Sequence, residues 1–364
     1  MKKYQSLFFI IISFLLYASE DNNFDYDYPL LKWYPDFETA LCNGIVNFEG
    51  EYLYRKANAP IVYSVKTPLN SDIIPPFSII AEYQNKTVKM NFHSGYRLKF
   101  GMYLPCEWQA SVNWTQYFGD GNDYATSDGQ SSSFIGFFPI WSSIFPSRLE
   151  TDPASDITAY QRIRLKLLDF VLYKNLFMES RFHLRPFFGA RIAWIYNDMR
   201  ILFRVLDPAL GVFLFNHMDL NNRFRSAGLV TGFNTSLLIW KGLEFYNDLT
   251  LSGLYGKFDL RTKQSALVTD FVTVASPVIP AIITDHSNLH ESKLMLQYAT
   301  GFNWGKRICR CKYYVGISAG YEIGILPKQI QLRKTDNSFS SGTAAPTLLD
   351  VSYHGLSASA KLDF

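Results

Sequence analysis

Charged residues recur at even spacings along this chain. The basic ones are Lys89, Arg97 and Lys99, then Arg162, Arg164 and Lys166, then Arg185 and Arg191; the acidic ones are Glu49 and Glu51, Glu244 and Asp248, and Glu322. Side chains two apart on an extended strand share a face, so these groups form a basic arc opposite an acidic one if their strands close into a ring. Around water, such arcs set up a transverse field that selects ions. In a narrow ring the same charges would instead pair and plug it.

Other chemistry is sparse. There is no phosphate-binding glycine loop, HExxH or nucleophile elbow. The six histidines are scattered; His93 and His183 fall on the polar face of predicted strands, and His286 and His290 in a predicted loop, where their spacing holds no metal without a helix. Asp120, Asn122 and Asp123 are a fragment of a calcium loop without its downstream Gly and Glu. No enzyme activity, metal or cofactor is expected. The net charge of +3 is spread along the chain without a long basic run, which argues against nucleic acid as a partner.

The elements that must carry these charges are strands. Val88, Met90, Phe92, Tyr96, Leu98, Phe100 and Met102 alternate with Lys89, Asn91, His93, Gly95, Arg97, Lys99 and Gly101. Trp108 to Thr115, Phe182 to Trp194 and Tyr313 to Ile325 repeat the pattern. Such runs exceed the usual 5 to 6 residues of a globular strand and suit a tilted strand that spans a membrane; a soluble β-sandwich is the alternative. Strands are predicted near 45–55, 87–103, 108–118, 157–172, 181–196, 223–240, 243–260, 291–304, 312–326 and 349–364, with short connections alternating with long ones. The fold class is therefore all-β: a transmembrane antiparallel barrel of about ten strands, short periplasmic turns and long external loops. Hairpins hidden in the long loops, for example around Ile61 to Val65, would raise the count to twelve or more. Trp108, Trp114, Trp194, Trp240 and Trp304 are candidates for the aromatic girdles of such a barrel.

The two ends of the chain agree with export to an outer membrane. Lys2 and Lys3 precede an apolar run from Leu7 to Tyr17, followed by Ala18, Ser19 and Glu20. The run is shorter than the roughly 20 residues of a spanning helix, so residues 1–19 read as a signal peptide, 20–44 as a periplasmic segment and 45–364 as the barrel. Leu356 to Phe364 alternate to the last residue, and Leu362 with the terminal aromatic Phe364 looks like an outer-membrane assembly signal.

Several phrases, in order along the chain, resemble the major outer membrane porins of the chlamydial type: Gly95 to Pro105, Val112 to Thr115, Leu184 to Ala193, Leu254 to Asp259 and Gly316 to Gly324. The resemblance implies a porin in the outer membrane of a Gram-negative-type bacterium, often disulfide-linked into an envelope network. The expected function is passive diffusion of small hydrophilic solutes or ions through the charged lumen, with outer-membrane lipid and oligomeric or disulfide-linked envelope proteins as partners. The alternative is a structural or adhesive surface barrel that acts through its external loops.

The four cysteines fall at the periplasmic end of this topology, Cys42 before the first strand, Cys106 in the first short turn, and Cys309 and Cys311 in the last. An exported protein meets oxidising chemistry there, although incidental free thiols fit the spacing equally well. Cys309 and Cys311 are too close to bridge each other without strain. We expect at least one disulfide from either of them to Cys42, Cys106 or another envelope protein, seen as a thiol-dependent mobility change. Alkylation of all four thiols without prior reduction excludes it.

Overall fold

A computed structural model describes residues 46–68, 84–104, 107–126, 135–139, 154–177, 181–207, 212–240, 242–269, 281–308, 313–333 and 346–364. All four cysteines and the amino-terminal export segment lie outside these residues, as does any test of their roles. The strands in chain order are β1 (Val46–Asn58), β2 (Val62–Pro68), β3 (Gln84–Thr87), β4 (Phe92–Leu104), β5 (Trp108–Thr126), β6 (Ile135–Pro139), β7 (Ala154–Lys174), β8 (Leu176–Phe177), β9 (Phe182–Asp207), β10 (Val212–Trp240), β11 (Leu243–Thr269), β12 (Ala281–Ile308), β13 (Tyr313–Arg333) and β14 (Pro346–Asp363). There is no helix among the described residues.

Ten of these strands form a closed antiparallel ring, in the order β5, β4, β1, β14, β13, β12, β11, β10, β9, β7 and back to β5. The seam between β1 and β14 runs from Asn47 opposite Asp363 to Asn58 opposite Ser352, and Val46 and Phe364 exchange backbone hydrogen bonds of 2.9 and 3.0 Å. From Tyr117 opposite Gly95, the row of paired residues passes through Leu53, Ser357, Gly320, Gly301, Tyr246 and Ser236 to His183 and Phe177, beside a hairpin turn. A row that starts in mid-strand and ends at a turn means that the strands tilt steeply, as barrel closure demands. The β10–β11 turn is tight and has Gly242 at φ 87°, where a side chain would be strained.

All ten expected ring strands are present, and most are longer than their alternation alone suggested. Residues 197–222 and 261–290 were expected to be loops, yet β9 with β10 and β11 with β12 pair as continuous hairpins through much of both stretches. The segment around Ile61 to Val65 forms β2, but β2, β3 and β6 pair at the loop end without entering the ring.

The polarity of the wall reverses along the barrel axis. Near the turns, outward positions are uncharged and mostly apolar: Ala227 to Ile239 on β10, Leu243 to Tyr255 on β11 and Leu294 to Trp304 on β12, with Leu229, Tyr255, Leu294 and Trp304 exposed. Their height suits the roughly 25 Å apolar belt of an outer-membrane barrel. Trp108, Trp240 and Trp304 lie near the turn ends of their strands, whereas Trp114 and Trp194 sit higher and face each other at 6.0 Å. Nearer the loops the outside carries Arg162, Arg200, Arg261 and Lys263, while the inside holds a buried apolar core that includes Ile157, Ile163, Leu165, Ile195, Met199, Phe224, Phe258 and Leu332. The half that meets lipid is apolar outside; the half that meets water is apolar inside.

Two substitutions separate the halves. Phe224 is fully buried and stacks on Phe258 at 4.3 Å, so Phe224→Ala should cost about 3–5 kcal/mol whether the barrel sits in micelles or vesicles. Phe170 lies midway between the outward Lys166 and Lys174 of β7 and is 47% exposed; Phe170→Arg should cost about 2–4 kcal/mol in a bilayer and little in loose detergent. The temperature at which gel migration converts from folded to unfolded reads both, and an equal effect of Phe170→Arg in the two media would refute the belt.

Candidate functional site in the lumen

In the membrane half most inward positions are polar, charged or glycine, with Leu53 and an apolar cluster of Val171, Phe187 and Val230 among them. β1 contributes Asn47, Glu49, Glu51 and Arg55; β4 contributes Gly95, Arg97, Lys99 and Gly101. These two strands are neighbours with Glu51 opposite Arg97 and Glu49 opposite Lys99, so the acids and bases meet at once. Arg97 donates to Glu51 at 2.9 Å and to Glu322 of β13 at 3.0 Å; Lys99 reaches Glu49 at 2.9 Å. Arg55 also bonds Glu322 and lies over the Tyr353 ring, 5.0 Å from its centroid.

A second cluster faces the first across the lumen. Arg191 of β9 donates two bonds to Asp169 of β7, at 2.7 and 2.8 Å, and further bonds to Ser252 at 2.9 Å and Gln297 at 2.6 Å. Gln297 in turn donates to the Tyr353 hydroxyl at 2.5 Å, and Tyr353 donates to Glu322 at 3.3 Å. A continuous polar chain therefore crosses the barrel from Asp169 to Glu49. Glycines make room for its aromatic members: a Cβ at Gly324 would collide with the Tyr353 ring, and one at Gly320 with the Tyr246 hydroxyl.

Below this chain, at the turn end, lies a cavity of about 210 Å³ lined by Glu49, His183, Arg185, Glu244, Asp248 and Lys361 among others. It has room for several waters and the polar partners to hold them. A smaller space of about 90 Å³ lies among Arg97, Asp169, Arg191 and Glu322. On the loop side the apolar core fills the lumen, beginning with Leu167 and Met295. Ion pairs thus bridge the lumen at one level and apolar side chains occupy it at another.

The expected lumen residues divide. Arg97, Lys99, Arg185, Arg191, Glu49, Glu51, Glu244, Asp248 and Glu322 face inward, but Arg97 and Lys99 pair with Glu51, Glu322 and Glu49 rather than standing apart from them as an arc, while Arg185 bonds Gln109 and Glu244 bonds Asn303. Arg162, Arg164 and Lys166 do not: on β7 the inward residues are Ile163, Leu165, Leu167 and Asp169, and these three cations project outward. The expectation assumed apolar residues outside along the whole strand, which fails where the strand leaves lipid. Lys89 is also exposed, because the alternation slips at Asn91 and Phe92, both exposed, and Val88 and Met90 enter the apolar core instead. Arg55, Asp169, Lys361 and Asp363 were missed. Arg55 shares the parity of Glu49 and Glu51 and could have been read from it; Asp169 was lost to the wrong face of β7.

The histidines are structural. His286 and His290 lie on β12 rather than in a loop; His286 contacts Asp259 at 3.0 Å and His290 stacks on Tyr255. Asp259, in the half that projects beyond the belt, is held below the usual carboxylate range by hydrogen bonds from Arg261 and His286. Asp123 is likewise in a strand, where it accepts a 2.8 Å bond from Tyr63, and burial together with that carboxylate pushes the Tyr63 phenol up. Leu362 and Phe364 face the belt, both exposed.

Residues 46–364 match the family described as the Legionella pneumophila major outer membrane protein precursor. Among solved structures, the outer membrane protease OmpT of Escherichia coli is similar at 10% identity and a TM-score of 0.39, over 88% of this chain and 96% of that one. The toluene transporter TodX of Pseudomonas putida is similar at 8% identity and a TM-score of 0.26, over 88% and 90%. Among curated proteins there is no significant match.

The side chains of Arg191 and Asp169 are 4% and 9% exposed. Arg191→Met leaves the carboxylate buried without its partner and should cost about 3–5 kcal/mol, read from the same gel-shift transition. Arg162→Gln, on the outer surface, should change stability by less than about 0.5 kcal/mol. Equal effects would mean that the two arginines do not differ in environment as described.

Proposed function

Because the chain belongs to the Legionella pneumophila major outer membrane protein family and sits in the outer membrane, we propose that it is a narrow porin, passing ions or small hydrophilic solutes through a polar lumen that is closed at rest. The observation that carries this reading is the inner wall of the membrane half. Apart from an apolar cluster of Val171, Phe187 and Val230, the wall from Glu49 to Glu322 is mainly polar, charged or glycine, and it lines a polar cavity of about 210 Å³. A barrel that needed only to be packed would fill that space with apolar side chains, as this one does in its projecting half. The phrases resembling chlamydial-type porins support the same reading. Diffusion down a gradient needs no cofactor and no catalytic step.

In this reading the chain of bonds from Asp169 to Glu49 acts as a constriction. Opening requires Arg97 to exchange Glu51 and Glu322 for water or a passing anion, a trade that buried ion pairs make at modest net cost because desolvation offsets much of their attraction. A second reading, a closed structural or adhesive surface barrel, is favoured by the apolar core that occupies the loop-side lumen.

Single-channel recording separates the two. The folded protein in a planar bilayer should give infrequent openings of low conductance, and Glu322→Gln, which frees Arg55 and Arg97 from their shared partner, should change the open probability or the ion selectivity. A bilayer in which folded protein is demonstrably inserted, yet electrically silent for both wild type and Glu322→Gln, supports the surface-barrel reading instead.

A further inference from the structure

One continuous row of paired residues crosses the outer face of five adjacent strands, climbing toward the loops from β7 to β12 because the strands tilt. It runs from Lys166 on β7 to Trp194 on β9, Arg225 on β10, Lys257 on β11 and His290 on β12. All five side chains are on the outer face. The next row toward the turns, Leu168, Ile192, Ala227, Tyr255 and Ser292, carries no charge. On β7, β10 and β11 the cation thus directly follows the uncharged outward positions, flanked by Trp194 and by Tyr196, over whose ring Arg164 lies at 5.3 Å. Tryptophan and tyrosine mark the headgroup level of a bilayer.

These cations lack acids. Lys166, Arg225 and Lys257 make no ion pair among the described residues. The nearest carboxylates on the same face are occupied, Asp198 by Arg164 at 2.6 Å and Asp259 by Arg261 and His286 at 3.0 Å. The Nε atoms of Arg164 and Arg223 are shielded from water and have no acceptor. Short turns place the turn end in the periplasm, so the loop-side end of the apolar stretches, where Arg225 and Lys257 stand opposite each other, lies toward the outer leaflet.

We propose that the β7–β12 face binds the phosphate groups of an outer-leaflet glycolipid, with Lys166, Arg225 and Lys257 as the principal ligands and Arg223 supplying a further donor. Arginine and lysine at this depth attract anionic headgroups, and a guanidinium such as that of Arg225 makes charge-assisted bonds to phosphate. The acyl chains lie against Phe170, Leu229, Leu251 and Leu294, directly below and exposed. The inference rests on the membrane position of the barrel and stands whether or not the lumen conducts.

The test uses the whole folded protein reconstituted with bisphosphorylated lipid A, with the same lipid after phosphate removal, or with inorganic phosphate in buffer. Lipid A retained per barrel is measured by native mass spectrometry, and the folded-to-unfolded gel transition gives an independent readout. Bisphosphorylated lipid A should remain bound and raise the transition, with an affinity falling about fivefold for each of Lys166→Gln, Arg225→Gln and Lys257→Gln and falling further with added salt. Lys263→Gln, farther from the belt on the same face, should leave it unchanged. Equal retention of the dephosphorylated lipid, or a triple variant that binds as well as wild type, overturns the proposal, as does an equal rise with inorganic phosphate alone. If the triple variant does not fold, Lys257→Gln and the salt series carry the same decision.

Discussion

Hydrocarbon offers no hydrogen-bond partner, so within the belt each backbone amide must find one in the chain itself. For strands this demands a ring without edges, and the β1–β14 seam supplies it, ending in the reciprocal bonds between Val46 and Phe364. The rest of the architecture follows from that closure. Ten tilted strands leave a lumen narrow enough for side chains from opposite walls to meet, as Arg191 meets Gln297 and Gln297 meets Tyr353. The strands are long because they pass through lipid and continue into water. The small strands β2, β3 and β6 add to the sheet only at the loop end, where an exposed edge has water to bond.

The change of solvent along each strand dictates which parity is apolar. On β7 apolar residues Ile163, Leu165 and Leu167 face in, and from Leu168 the outward positions Leu168, Phe170 and Leu172 become apolar too, while inward the run gives way to Asp169 before Val171. On β10, Met218, Leu220 and Phe224 face in before Leu229, Phe233 and Leu237 face out. A strand obeys period two throughout, yet its hydrophobic face changes sides where water gives way to lipid. The loop-side half is a water-exposed barrel with a conventional core, fused in register to its membrane-facing inverse.

This explains what could be read in the sequence and what could not. The ten ring strands were legible because alternation is local, and so were the inward positions within the belt, such as Arg97, Lys99, Glu49 and Glu51. The face of β7 was misread because one parity was applied along the whole strand: Arg162 and Arg164 lie beyond the lipid, where charge belongs outside. Lys89 failed for a smaller reason, a slip at Asn91 and Phe92 that no periodicity announces. Which acid would meet which base also depended on strand order round the ring, which places β13 with Glu322 near β1 and β4 although 225 residues separate Glu322 from Arg97.

The ion network sits where the two halves meet, with Leu167 and Val171 lining the same space as Arg97, Arg191 and Glu322. Buried ion pairs contribute little net stability, since desolvation offsets their attraction. Their stronger effect is on register. Sliding β4 by one residue against β1 would carry Arg97 and Lys99 from the lumen to the lipid face, strip Glu49 and Glu51 of their cations and leave Glu322 with Arg55 alone, whereas the glycines and small residues around them would tolerate the slip. A wall so rich in Gly, Ser and Ala specifies its register weakly through packing alone. Here charge adds to what the lipid-facing Tyr96, Leu98 and Phe100 already specify, by fixing which acid stands opposite which base.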